Sequence, residues 1–196
     1  MTKYYKITNE QETHKGLQYH DGLNVDPVPF YPHDNCEPGG IYFASVDILA
    51  FLHRGPWIRE VIVPEGEEIY TNPGTPVKYK AHQVILKERR EITLDVIKEL
   101  VADGCNPHVA DDFAIYWAAK KGKLEIVKYL VSIGCDPRAA GDSAIQGASL
   151  SGHLETVKYL ASLGCDPRVN NNYAIKDACH NGHLEVVEYL KTLGCE

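Results

Sequence analysis

Apolar and polar positions in the C-terminal half of the chain recur in one order every 30 residues, with Gly104-Cys105, Gly134-Cys135, Gly164-Cys165 and Gly194-Cys195 closing successive cycles. Periods of this size signal stacked units, each too small to bury its apolar face alone. Within one cycle Ala114, Ile115, Ala118 and Ala119 fall on one face of a short helix, and Leu124, Val127, Leu130 and Val131 on one face of a second. Between them stand Gly122-Lys123, Gly152-His153 and Gly182-His183, where glycine can take the left-handed conformation that stops a helix. The pattern predicts helix, tight turn, helix in every unit.

Between units, Asp136-Pro137 and Asp166-Pro167 are turn dipeptides, because proline fixes its own φ and keeps its predecessor out of the helical region. Asp112, Asp142 and Asn172 stand where the next first helix begins and are expected to accept from its orphan amide donors. Sliding the 30-residue period backwards puts Leu94, Val96, Ile97 and Leu100 on Leu124, Ile126, Val127 and Leu130, which predicts one more second helix. The same step puts Glu88 on Ala118, a carboxylate in a packed face, so the first unit reads as half a repeat.

Ala118-Ala119 with Gly122, the Gly-His-Leu-Glu-x-Val phrases at 152–157 and 182–187, and the closing Leu-x-x-x-Gly-x-Asp-Pro resemble ankyrin repeats. The resemblance covers residues 91–196 and implies an all-α ankyrin-repeat solenoid, with a half repeat at 91–109 and repeats at 110–139, 140–169 and 170–196. The family usually runs to about 33 residues with a Thr-Pro-Leu-His start. Here those positions read Phe113-Ala114-Ile115-Tyr116, Ser143-Ala144-Ile145-Gln146 and Tyr173-Ala174-Ile175-Lys176, and the shorter period predicts that the projecting finger shrinks to a turn.

Residues 1–90 carry a different pattern. Segments 4–7, 60–63 and 79–86 read as strands, 39–44 as a turn leading into another, and 46–53 as a helix starting near a Ser45 cap and ending before Gly55-Pro56. Proline-rich loops at 26–32 and 72–76 lie between them. The expected fold is a small α+β N-terminal domain fused to the array, packing on helix 94–103 and capping its exposed end. Tyr5-Lys6-Ile7-Thr8, residues 14–24, Cys36 through Phe43, and residues 59–64 resemble the N-terminal domain that precedes ankyrin arrays in proteins of giant amoeba-infecting viruses. At the other end Tyr189, Leu190 and Leu193 lead to Gly194-Cys195-Glu196 with no polar unit beyond, so self-association, a bound partner or a longer chain is expected to cover that face.

The formal net charge of −7, with no stripe of lysine and arginine, argues against a nucleic-acid partner. No apolar run approaches the ~18 residues needed to span a bilayer, and no signal peptide is evident. With no Cys-x-x-Cys pair among the six cysteines, a reducing cytoplasm is expected, that of the host cell on the viral resemblance. Packed helices sit about 8–10 Å apart, too far for disulfides between equivalent positions, so the four periodic cysteines read as small buried residues without convergent metal ligands. His14, His20, His33, His53 and His82 are scattered without zinc-site spacing. No phosphate loop or nucleophile motif occurs, and no cofactor is implied.

In ankyrin arrays, partners meet the turn tips and the exposed side of each first helix. Carried over by position, these residues are Asp112, Tyr116, Lys120 and Lys121, then Asp142, Gln146, Leu150 and Ser151, then Asn172, Lys176, His180 and Asn181. Tyr116 and Trp117 form the aromatic pair expected to anchor an interface. The function expected is non-enzymatic: an array that binds a protein, a host protein on the viral resemblance. An alternative rests on His20-Asp21-Gly22, Tyr42 within residues 40–45, and Glu65, Glu67 and Glu68, which resemble in order the His, Tyr and Glu of ADP-ribosyltransferases of the polymerase type. That resemblance implies a nucleotide-binding or transferase domain, with the array as substrate adaptor.

Overall fold

The computed structural model describes residues 2–32, 39–72 and 74–196, so His33 and Cys36 lie outside the described residues. It divides into two compact units, Met1–Asn106 and Pro107–Glu196. Among the described residues no helix is long and apolar enough to cross a membrane.

The first unit contains strands β1 (Tyr4–Thr8), β2 (Thr13–His14), β3 (Leu17–Gln18), β4 (Gly22–Val25), β5 (Ile41–Phe43), β6 (Trp57–Ile62), β7 (Tyr70–Asn72), β8 (Lys78–Ala81), β9 (Gln83–Leu86) and β10 (Arg90–Glu91), then helix α1 (Leu94–Ala102). The main sheet runs β1-β6-β9-β4 with β10 also on β6, a second sheet runs β5-β8-β7, and β2-β3 forms a hairpin. Tyr4 lies opposite Val61 and Thr8 opposite Trp57, which sets the register of β1 on β6. Tyr19, Ile41, Phe43, Val61, Ala81, Val84 and Leu86 form the apolar cluster beneath the sheets.

Two expectations for this unit are corrected. The predicted strand at 79–86 breaks at His82 into β8 and β9, which belong to different sheets. The predicted helix at 46–53 is a 3₁₀ segment, Ile48–Arg54, entered through the short backbone bond from Ile48 N to Ser45 O (3.1 Å). Asp47 immediately precedes it but does not cap it, because its carboxylate accepts from Val77 N at 2.8 Å instead.

One charge cluster ties the strands together. Arg59 is 2% exposed on β6 and grips Glu12 with two parallel bonds of 2.7 Å, while its third nitrogen donates to Asp21 and to Lys87 O. Helix α1 is capped by Thr93, whose hydroxyl accepts from Val96 N (3.4 Å). Its C-terminal Asp103 receives Lys3 Nζ and the Tyr5 hydroxyl, both at 2.7 Å.

The second unit is a stack of helix pairs: α2 (Val109–Lys120) with α3 (Leu124–Ser132), α4 (Ala139–Leu150) with α5 (Leu154–Ser162), and α6 (Val169–His180) with α7 (Leu184–Thr192). First helices pack on one another, α2 on α4 and α4 on α6, with Ala114, Ile115, Ala118, Ala144, Ile145, Ala148, Ala174, Ile175 and Ala178 all buried. Small residues let these helices approach closely, while Val127, Leu130, Val157, Leu160, Val187 and Leu190 fill the space under the second helices. Where the family finger would project, no strand forms. Each first helix is entered instead through three left-handed residues: Ala110-Asp111-Asp112, Ala140-Gly141-Asp142 and Asn170-Asn171-Asn172. The expected capping by Asp112, Asp142 and Asn172 is therefore corrected, since each has φ between 56° and 60° where a cap residue would be extended.

The turn glycines do more than accept positive φ. A Cβ on Gly122 would come within 2.5 Å of the His153 ring, and one on Gly152 within 2.4 Å of the His183 ring. Each histidine reaches back one unit, His153 Nε2 donating to Lys120 O (3.2 Å) and His183 Nε2 to Leu150 O (3.1 Å). Gly182 has the same conformation, φ 74°, but meets nothing within 4 Å.

Two outcomes follow. Gly182→Ala should cost about 1–2 kcal/mol for a left-handed alanine. Gly152→Ala should cost roughly 2–5 kcal/mol, because displacement of the His183 ring is added. Chemical denaturation of both variants checks this, and equal losses would remove the ring from the explanation. Glu12→Ala, which leaves Arg59 buried and half-paired, should cost about 3–5 kcal/mol. Arg59 holds the Glu12 carboxyl below its ordinary range. Its contribution is therefore present above the unfolded pKa of about 4.3 and is lost as pH falls through the folded value. Acid melts should show a smaller pH dependence in the Glu12→Ala chain.

Candidate functional site

The side chains picked out on the array separate into three kinds of position. Lys120, Lys121, Lys176, His180 and Asn181 are exposed, and Tyr116, Gln146, Leu150 and Ser151 are half-buried on the same helix faces. Asp112, Asp142 and Asn172 are turned inward: Asp142 is 4% exposed, and one oxygen of Asn172 is fully buried. The expectation that these three present themselves at turn tips is corrected. The left-handed turn points the third side chain of each trio back into the stack and leaves Ala110, Asp111, Gly141, Asn170 and Asn171 at the surface.

Trp117 does not join Tyr116 on the surface either. It is 5% exposed and belongs to the core. Tyr116 lies across the next unit, its ring about where a Cβ on Gly147 would sit (2.9 Å), with Phe113 5.7 Å away between ring centres and Lys120 5.7 Å over its face. The exposed aromatic of the array is Tyr173, 56% exposed at the start of the helical part of α6. Its position matches Phe113 and Ser143 in the register. That register was the signal that could have found it.

The inward aspartates meet the periodic cysteines. Asp112 accepts from His108 Nδ1 (2.8 Å) and from Asp136 N (3.2 Å), and burial, with the Asp112 charge beside it, pushes the Cys135 thiol up to about 12. Asp142 acts the same way on Cys165, also pushed up to about 12, mainly by burial. Arg138 Nε lies 3.4 Å from the same Asp142 carboxylate, a charge pair that leaves one oxygen without a hydrogen bond. The thiols donate to carbonyls of the preceding unit, Cys135 to Pro107 O (3.8 Å) and Cys165 to Pro137 O (3.4 Å).

At one joint the ligating atoms do converge, against expectation: those of His108, Asp112 and Cys135 lie within 4.8 Å of one another. The equivalent joints hold Arg138, Asp142 and Cys165, then Arg168, Asn172 and Cys195. Arginine cannot be deprotonated to ligate a metal. The arrangement is thus shared by joints that cannot bind one, which favours a hydrogen-bonded link between units.

In the first unit, His20, Tyr42 and the glutamates do not line one cavity together. Tyr42 lines a cavity beside β1, whereas His20 and Glu65, Glu67 and Glu68 do not. Glu67 is held by His82 N, Gln83 N and the Gln83 side chain, and His20 is bonded to Asp21 O.

A family model described as "Ankyrin repeats (3 copies)" matches residues 89–171. Three proteins of Acanthamoeba polyphaga mimivirus are similar to the chain. "Putative ankyrin repeat protein R868" is 35% identical over 127 residues, 62% of this chain and 62% of that protein. "Uncharacterized protein R869" is 37% identical over 126 residues, 62% of this chain and 91% of that protein. "Putative ankyrin repeat protein R229" is 35% identical over 134 residues, 61% of this chain but 44% of that protein. The chain thus matches less than two thirds of the length of R868 and of R229.

If the His108 cluster is a joint, His108→Arg should change stability by less than about 0.5 kcal/mol, and neither zinc nor a chelator should move the melting temperature. A zinc-dependent rise abolished by His108→Arg would make the cluster a metal site.

Proposed function

The chain belongs to the ankyrin repeat family, and on that premise we propose that it binds its protein partner along the exposed side of the first helices. Ankyrin repeats are protein-interaction modules. The observation that carries the finer reading is a grid of side chains at equivalent positions: Tyr116, Gln146 and Lys176, then Lys120, Leu150 and His180, then Lys121, Ser151 and Asn181. Their chemistry changes from unit to unit while the alanines and isoleucines behind them do not. Tyr173 and Tyr116 supply the amphipathic aromatic area that dominates interface energies, and Lys120, Lys121, Lys176 and His180 suit a partner surface bearing carboxylates. The relatives belong to a virus of an amoeba, which supports a host protein as the partner and the host cytoplasm as the setting. A second copy of the chain is the competing partner.

The test compares capture of amoebal proteins by the intact chain, by a Tyr173→Ala/Lys120→Glu variant, and by a Lys128→Ala/Lys158→Ala control on the second helices. Light scattering on the bait fixes its mass. A captured protein whose affinity falls about 30-fold or more in the first variant, and not in the control, supports the reading. Capture unaffected by the first variant, or a dimer in which the first-helix residues are already buried, overturns it.

A further inference from the structure

The first unit contains a cavity of about 280 Å³ bounded by β1, the β2-β3 hairpin, β5 and the 3₁₀ segment. Five of its lining residues are basic: Lys6, His14, Lys15, Arg54 and Lys78. Among the described residues, no aspartate or glutamate lines it. In a chain of net charge −7, this is a local reversal of sign.

Lys6 makes the reversal costly. It is 6% exposed on β1, the end strand of the main sheet, and the ammonium group lies over the Tyr19 ring (4.4 Å) and donates one bond, to Tyr42 O at 2.8 Å. An ammonium has three donors, and among the described residues no carboxylate takes either of the others. Burial, with Arg54 nearby, lowers the Lys6 pKa to about 7. Burial and the charges of Lys6, Arg54 and Lys15 lower His14 to about 4. Besides the polar Thr8, Asn9 and Thr13, the walls hold flat apolar surface: Tyr42 carries Lys15 at 5.9 Å and Lys78 at 6.0 Å from its ring centre, and Phe51 is half-buried on the same cavity.

We propose that this cavity binds a small organic anion, specifically a phosphate monoester with a flat body, its phosphate held by Lys6, Lys15 and Arg54 and its body by Tyr42 and Phe51. A dianion matches several converging cations better than a carboxylate does, and it supplies the acceptors that the buried ammonium lacks. The volume sits near the lower end of the ~300–1,000 Å³ range of small-molecule pockets, which fits one ring system and excludes a polymer strand. The site lies in the first unit and the partner surface in the second, so a result on either leaves the other standing.

The experiment is isothermal titration of the full chain, near pH 7 in about 0.15 M salt, with phenyl phosphate, inorganic phosphate and benzoate. Phenyl phosphate is expected to bind saturably and more tightly than the other two. Lys6→Met and Arg54→Gln should each weaken it at least about tenfold, or ~1.4 kcal/mol. Lys6→Met should also melt no lower than the parent, because it removes an uncompensated buried charge, and this separates lost binding from lost folding. Arg54 is exposed, so its variant keeps the fold in any case. Benzoate binding as tightly as phenyl phosphate overturns the choice of phosphate, and inorganic phosphate doing so overturns the flat body. No saturable heat with phenyl phosphate, or binding that survives both substitutions, overturns the site.

Discussion

A helix pair of 30 residues with apolar side chains on both flanks has no way to bury them except against another pair, and the second unit is built around that constraint. Its apolar face is generic, alanine against alanine and leucine under leucine, so burial alone would tolerate slippage of one pair along the next. The histidine that lies over the preceding unit's turn glycine, with its Nε2 on a carbonyl of that unit, gives the stack a polar fix on register. Glycine at this turn thus answers two demands at once, positive φ for the helix stop and an absent Cβ for the incoming ring. Either demand alone would explain a glycine, but only the second explains the histidine beside it.

The same economy appears at the other end of each unit. Shortening the repeat by three residues relative to the family leaves no finger to reverse the chain, and three left-handed residues do so instead. Such residues cost roughly 1–2 kcal/mol each unless they are glycine, asparagine or aspartate. The third unit uses Asn170-Asn171-Asn172, while the first keeps an alanine and two aspartates. The turned-in aspartate then meets the cysteine of the following joint, so the turn and the cysteine ladder form one repeated device. Because the device recurs at the next joint with Arg138 against Asp142 in the place of His108 against Asp112, the cluster at His108 is explained by the stack without a ligand.

The array was legible because its information is periodic. Ala118, Val127 and Leu130 recur in phase, and the helices follow from that spacing. Conformation at single residues was not legible: Asp112, Asp142 and Asn172 have the composition of helix caps, and only the backbone shows them left-handed and facing inward. Trp117 and Tyr116 are neighbours in sequence yet lie one in the core and one on the surface, a difference of 100° around a helix that shifts with any change in where the helix starts. In the first unit, short strands paired across the chain carry no local signal strong enough to give their order. β6 finds β1, β9 and β10, and its partner in β1 lies far back along the chain, Tyr4 opposite Val61 and Tyr5 opposite Glu60. The resemblance to transferases placed three residue types in order along the chain, but order along the chain carries no information about convergence.

Two buried cations in the first unit show how pairing distinguishes structure from a site. Arg59 on β6 and Lys6 on the neighbouring β1 face each other in the register, 2% and 6% exposed. Arg59 has its charge answered by Glu12 and Asp21, and its pKa is raised. Each of its three nitrogens finds an acceptor, so nothing is left for a ligand. Lys6, one strand away, has a carbonyl and an aromatic face and a lowered pKa. The fold evidently can place a carboxylate beside a buried cation, since it does so at Glu12. A methionine at position 6 would fill much the same volume without the charge. A cation kept where the fold gains nothing from it, in the wall of a cavity lined by others of the same sign, is the arrangement expected when the missing negative charge arrives with a ligand.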